Sequence, residues 1–242
     1  MKTYSILIGF TCLFSGIIYS QTTAISDSNF EDYLETHAED GTVVNLGDSN
    51  SMGDGIANNG LVSTNSINDV VSLDVSNLGI EDLTGIEDFI ALETLFCSSN
   101  NLATLNVTNN SNLVSLICGS NSFSDLVLNN NTSLETLNCS DNQIQNLDLS
   151  NNTVLRSLTV SGNQLSDIDV SFNTDLTLLS VSDNRIVGEL VVSNNTDLEN
   201  LFCASNQISI LDVSANTVLK NLDASDNILT SLDLSSINAL VC

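Results

Sequence analysis

From Val70 onward, apolar and polar residues alternate in short runs such as Leu137-Asn138-Cys139 and Leu147-Asp148-Leu149, and no helical spacing persists. A period of two marks β-strands. The runs themselves recur: Leu92, Leu113, Leu134, Leu155 and Leu176 lie 21 residues apart, the step to Leu198 is 22, and Leu219 and Leu240 return to 21. The extra residue falls in RIVGEL, where Gly188 lengthens one corner, and a looser unit precedes the series at Val70, Leu73 and Val75. Two runs per unit predict two strands per coil, one on each side of a flattened solenoid. Each half-turn then buries its apolar pair against the other half-turn. One coil alone cannot bury both faces, so stability must come from stacking. The pattern gives about eight coils over residues 70–242, with a ninth broken off at Leu240-Val241-Cys242. That ending leads us to expect a fragment of a longer protein, or an open edge through which the last coil self-associates.

Asparagine recurs in the same register. Asn100, Asn121, Asn142, Asn163, Asn184, Asn206 and Asn227 occupy one corner of successive coils. There the chain turns inward and strands peptide groups without partners, and a carboxamide can both donate and accept. A second column, Asn110, Asn131, Asn152, Asn173, Asn195 and Asn216, is expected to serve the opposite corner.

The units LETLFCSSNNL, LVSLICGSNSF, LETLNCSDNQI, LRSLTVSGNQL, LTLLSVSDNRI, LENLFCASNQI and LKNLDASDNIL, with second halves such as LDLSNNT and LDVSANT, resemble the leucine-rich repeat family. They are most similar to its secreted bacterial, internalin-like branch with 21- or 22-residue coils. The resemblance implies a mostly β solenoid whose first strand column lines a concave ligand face. The outward residues of that column are Asp74, Phe96, Ile117, Asn138, Thr159, Ser180, Phe202 and Asp223. We take Phe96, Ile117, Asn138, Thr159 and Phe202 as the candidate binding residues, because apolar side chains on a polar field mark contact sites.

Cys97, Cys118, Cys139 and Cys203 share a column with Val160, Val181 and Ala224, a position that takes small apolar side chains. Buried, reduced thiols are expected there. A disulfide between neighbouring coils is disfavoured because stacked side chains point in parallel. No CxxC pair occurs and the sole histidine, His37, lies outside the repeat, so no catalytic residues, metal site or cofactor are expected.

Residues 21–69 precede the repeat as an N-terminal cap. SDSNFEDYLETH predicts a helix, with Ser26 or Asp27 as N-cap and Phe30, Tyr33 and Leu34 forming a stripe that covers the open end of the first coil. Asp48, Asn50 and Asp54 lie in a Gly/Asn/Asp loop that lacks the spacing of a calcium loop and its closing glutamate, so a plain structured loop is expected, with calcium as the alternative. Residues 1–20, with Lys2 ahead of the short apolar run ILIGFTCLFSGII, are expected to be a secretory signal peptide.

The chain carries 30 Asp+Glu against 4 Lys+Arg, a formal net charge of -26. Such a surface repels nucleic acid and anionic membrane faces. The aspartates of the second strand column, Asp148, Asp169, Asp212 and Asp233, read as a solvated face, with cation binding as the alternative. Together these features suggest a secreted or cell-surface recognition module for a protein or glycan, with no membrane span in the mature chain. The competing expectation is a structural spacer within a larger surface protein.

Overall fold

The computed structural model describes residues 21–237 and 240; the expected signal peptide and Cys242 lie outside the described residues. Eight three-residue strands, one per coil, stack in parallel and in register. They are β3 (Ser72–Asp74), β4 (Thr94–Phe96), β5 (Ser115–Ile117), β6 (Thr136–Asn138), β7 (Ser157–Thr159), β8 (Leu178–Ser180), β10 (Asn200–Phe202) and β12 (Asn221–Asp223). The register follows the repeat: Leu73, Leu95, Leu116, Leu137, Leu158, Leu179, Leu201 and Leu222 are successive partners. Eight rungs enclose about seven full turns of a parallel β-solenoid.

The second half-coils depart from expectation. Among the described residues only β9 (Val187–Leu190) and β11 (Gln207–Leu211) pair as strands on that side, with a register shift between Ile208 and Ile210. In two other coils the position equivalent to Ile210 is an aspartate that satisfies the next amide locally. Asp125 accepts from the Leu126 N–H at 3.0 Å, and Asp167 from the Ile168 N–H at 2.8 Å. Ile210 offers no such acceptor, and its half-coil pairs with that of β9, the one Gly188 lengthens.

The core is continuous from Ile25 to Ile237, built from the repeat leucines and the cysteine column. Each asparagine of the first ladder joins two coils. Asn142, for example, accepts from the Phe123 N–H at 3.0 Å and donates to the carbonyls of Cys118 (3.3 Å) and Cys139 (3.1 Å). The same three-way pattern repeats from Asn100 to Asn227. The second column is wholly buried and donates to two carbonyls per residue, as Asn152 does to Leu128 (3.2 Å) and Asn131 (2.8 Å). Its side-chain oxygens have no donor among the described residues.

The residue before each of the seven ladder asparagines is left-handed (Ser99, Ser120, Asp141, Gly162, Asp183, Ser205 and Asp226), as is Asn77, which precedes Leu78 at the equivalent place in the first coil. Small or Asx-type residues fill this column because they tolerate positive φ best. At Gly162 (φ +68°) a Cβ would also meet Asp141 Oδ1.

Ahead of the repeat, β1 (Thr22–Ala24) pairs antiparallel with β2 (Leu61–Ser63), and α1 (Ser28–Thr36) lies between them in sequence; α2 (Thr64–Ile67) leads into the first coil. Asp27 is the N-cap: its Oδ1 accepts from Asn29 (2.8 Å) and Phe30 (3.0 Å), while its Oδ2 accepts from Glu81 in the first coil at 2.7 Å. Phe30 and Leu34 are fully buried, Phe30 stacks on Phe89 at 6.2 Å, and Tyr33 is half-buried.

Candidate ligand-binding face

Strand register brings the five candidate residues into one line across the eight-stranded sheet. Phe96 pairs with Ile117, Ile117 with Asn138 and Asn138 with Thr159; Ser180 separates Thr159 from Phe202. At about 4.8 Å per rung, Phe96 and Phe202 stand some 24 Å apart, so Phe96 and Ile117 form one apolar spot and Phe202 another. All five are half-buried rather than fully exposed, because each side chain is flanked by its counterparts one rung away. The polar members are partly occupied: Asn138 Oδ1 accepts from the Ser140 hydroxyl at 2.8 Å, and the hydroxyls of Ser180 and Ser161 lie 2.7 Å apart. Asp74 and Asp223 end the line, each accepting from the serine N–H two residues on.

Sequence reading overlooked one surface residue. Phe172 is 54% exposed, in a column otherwise held by Asn109, Asn130, Asn151, Asn194 and Ala215. An aromatic in an asparagine column was the available signal.

The cysteine column lies beneath the sheet. Cys97, Cys118, Cys139 and Cys203 are free and buried. Burial pushes the thiols of Cys97, Cys139 and Cys203 up to about 12 and that of Cys118 well above its ordinary value. Thiols so protonated are neither nucleophiles nor metal ligands at neutral pH. Among the described residues no group of three or more His, Cys, Asp and Glu side chains is placed to hold a metal ion. Asp148, Asp169, Asp212 and Asp233 each turn a carboxylate oxygen to the serine N–H two residues on. Those serine hydrogen bonds hold the four carboxyls below their ordinary value and outweigh repulsion along the column.

The loop expected around Asp48, Asn50 and Asp54 is organised from the helix. Glu35, fully buried, accepts from the amides of Asp54 (2.6 Å) and Gly55 (2.9 Å); Glu31, also buried, accepts from Asn59 (2.7 Å) and Gly60 (3.1 Å). Burial raises the Glu35 carboxyl, and the two amides oppose that rise. Asp48 closes a turn onto Asn50, and Asp54 onto Ile56 and the Asn59 amide group. The loop thus answers to two helix carboxylates, a role the spacing of its own acids did not reveal. His37, at the helix C-terminus, stacks on Tyr33 with ring centroids 3.9 Å apart.

No protein-family model and no curated protein sequence matches the chain. Solved structures do. The functional domain of InlJ from Listeria monocytogenes, which includes a cysteine ladder, superposes with a TM-score of 0.69 at 33% identity, covering 91% of this chain and 51% of that one. Internalin C2 from the same organism gives a TM-score of 0.77 at 20% identity, covering 92% of this chain and 96% of that one. This chain has the leucine-rich-repeat fold of the internalin type. It spans about half the length of the InlJ domain. The plant peptide hormone receptor RGFR1 in complex with RGF2 is a more distant likeness, with a TM-score of 0.53 at 22% identity, covering 59% of this chain and 26% of that one. In this chain four coils carry a cysteine at the buried position just after the strand, Cys97, Cys118, Cys139 and Cys203. In the described residues no helix is long and apolar enough to cross a membrane.

Proposed function

We propose that this protein is a secreted or cell-surface recognition module that binds a protein ligand across the eight-stranded sheet, with Phe96, Ile117 and Phe202 as apolar anchors and Asn138 and Thr159 as polar contacts. The observation that carries this reading is the line itself. Three large apolar side chains stand half-open on a sheet face whose flanking positions are mostly serine, threonine and asparagine. Buried aromatic and aliphatic anchors contribute most of the affinity at such faces. The RGFR1 complex supports it by analogy, as a leucine-rich-repeat receptor holding a peptide. The short apolar run behind Lys2 supports export. The reading is non-catalytic: the four repeat thiols are buried and the sole histidine is stacked at the end of α1.

The test is an array of extracellular proteins and glycans probed with the purified chain and with the double variant Phe96→Ala/Phe202→Ala. A specific protein ligand whose binding drops at least tenfold in the double variant, but not in Phe172→Ala, is expected. A glycan ligand would redirect the reading to carbohydrate recognition. Binding that ignores the double variant would refute the assigned face, and a screen with no ligand would favour the spacer.

A further inference from the structure

The sheet ends at β3, beside the cap, and that edge is open. Val71 accepts from the Thr94 N–H at 3.1 Å and the Val75 N–H donates to Phe96 at 2.8 Å, so the backbone groups of alternate residues face β4. By the alternation of a parallel ladder, Ser72 and Asp74 turn their N–H and C=O groups the other way. Nothing among the described residues hydrogen-bonds to those four groups, and both residues are exposed. Along this edge runs a groove of about 860 Å³ between the first coil and the cap segment that starts at Ala38, lined in part by Glu39, Asp40, Asp69 and Ser72. A smaller cavity of about 150 Å³ adjoins β3, lined in part by Tyr33, Met52, Leu73 and Asp74. Neither is lined by a lysine or arginine.

We infer that this edge is a second binding site, distinct from the sheet face, which takes an extended basic peptide segment of a partner by strand addition to β3. A strand laid on β3 sends alternate side chains to opposite faces. One small apolar side chain then enters the cavity by Tyr33 and Met52. Its neighbours, if basic, meet Asp74, Asp40, Glu39 and Asp69. Two amides and two carbonyls fix register, as in other edge-recognition modes, and the acidic lining selects the charge.

The experiment uses the 242-residue chain and the probe peptide acetyl-Lys-Val-Lys-Thr-Lys-amide, followed by amide exchange and chemical shifts in NMR. Two control peptides carry N-methyl groups on alternate amides, one in each phase. The probe is expected to slow exchange at Ser72 and Asp74, and one of the two methylated phases to lose binding. Glu39→Gln with Asp69→Asn is expected to weaken the probe about three- to tenfold with an unchanged circular dichroism spectrum, since each is a single solvent-facing charge. Equal binding by the probe and both methylated peptides would overturn the proposal in favour of plain charge attraction. So would no change at Ser72 and Asp74, or shifts confined to the line from Phe96 to Phe202. The last outcome would leave the sheet-face reading standing, so the two can fail separately.

Discussion

Asn142 and Asn152 sit in the same coil yet hold different numbers of partners. Removing Asn142 leaves the Phe123 N–H unpaired and deletes two donated bonds, while the Cys118 and Cys139 carbonyls each keep a bond from a neighbouring ladder asparagine, Asn121 and Asn163. Removing Asn152 deletes two donated bonds but strands no group, because the Leu128 and Asn131 carbonyls keep the N–H groups of Asn131 and Leu134 and the deleted side-chain oxygen has no donor among the described residues. With roughly 1–3 kcal/mol for the one buried unpaired N–H and about 1 kcal/mol for each donated bond lost, Asn142→Ala should cost about 3–5 kcal/mol and Asn152→Ala about 2 kcal/mol. Urea unfolding of the two variants checks the order, and equal costs would contradict it. The thiol column gives a second residue-scale prediction. Cys118→Val should change stability by less than about 1.5 kcal/mol, because Val160 and Val181 already fill this column. Cys118→Asp should cost several kcal/mol, because it buries an unpaired charge. In native protein none of the four thiols should react with a thiol reagent at pH 7, and all four should do so after denaturation.

At the scale of the element, the cap and the second-side strands make separate predictions. Asp27 both caps α1 and reaches the Glu81 amide of the first coil. Asp27→Ala should therefore cost about 2–3 kcal/mol, a helix cap plus a bond to another element. In hydrogen exchange, α1 should open before the coils. On the second side of the solenoid, Ile210→Asp should restore the local turn seen at Asp125 and Asp167. We expect the β9–β11 pairing to dissolve, with faster exchange at Ile210 and Leu211. The global cost should stay within about 1 kcal/mol because Ile210 is 54% exposed. The spacing of the repeat made the first strand column legible, since its inward leucines never vary. It misled on the second side, because period two in burial does not require a ladder. In the coils of Asp125 and Asp167 the aspartate serves the adjacent amide, and the half-coil has no strand partner.

The whole molecule carries a formal net charge of -26, and its three described ion pairs are exposed ones made by Arg156 and Lys220. Self-repulsion of that size destabilises the compact state and is screened by salt. The thermal midpoint at pH 7 should accordingly rise on going from low salt to about 0.5 M sodium chloride; a fall would contradict the repulsion argument. Acid should act the other way on the aspartate column. Asp148, Asp169, Asp212 and Asp233 have folded values depressed below the ordinary 3.8. Their contribution is thus fully present above that value and is lost as pH falls through the lower, folded values. Acid unfolding followed by circular dichroism should begin only below pH ~4.

The sequence by itself determined the coil length, the core leucines, the cysteine column and both asparagine columns. A repeated unit has one set of neighbours, so a position's environment in one coil is its environment in all. It also marked α1 and its cap, whose signals are local. Tertiary structure alone decided the rest. Phe96, Ile117 and Phe202 are half-buried because strands one rung away shield them, and that depends on register. Glu35 and Glu31 hold a loop 19 and 28 residues on, and their burial follows from how the cap folds over the first coil. The open edge of β3 exists because the cap covers the core of the first coil without pairing with its strand, a relation between two elements that no local pattern encodes.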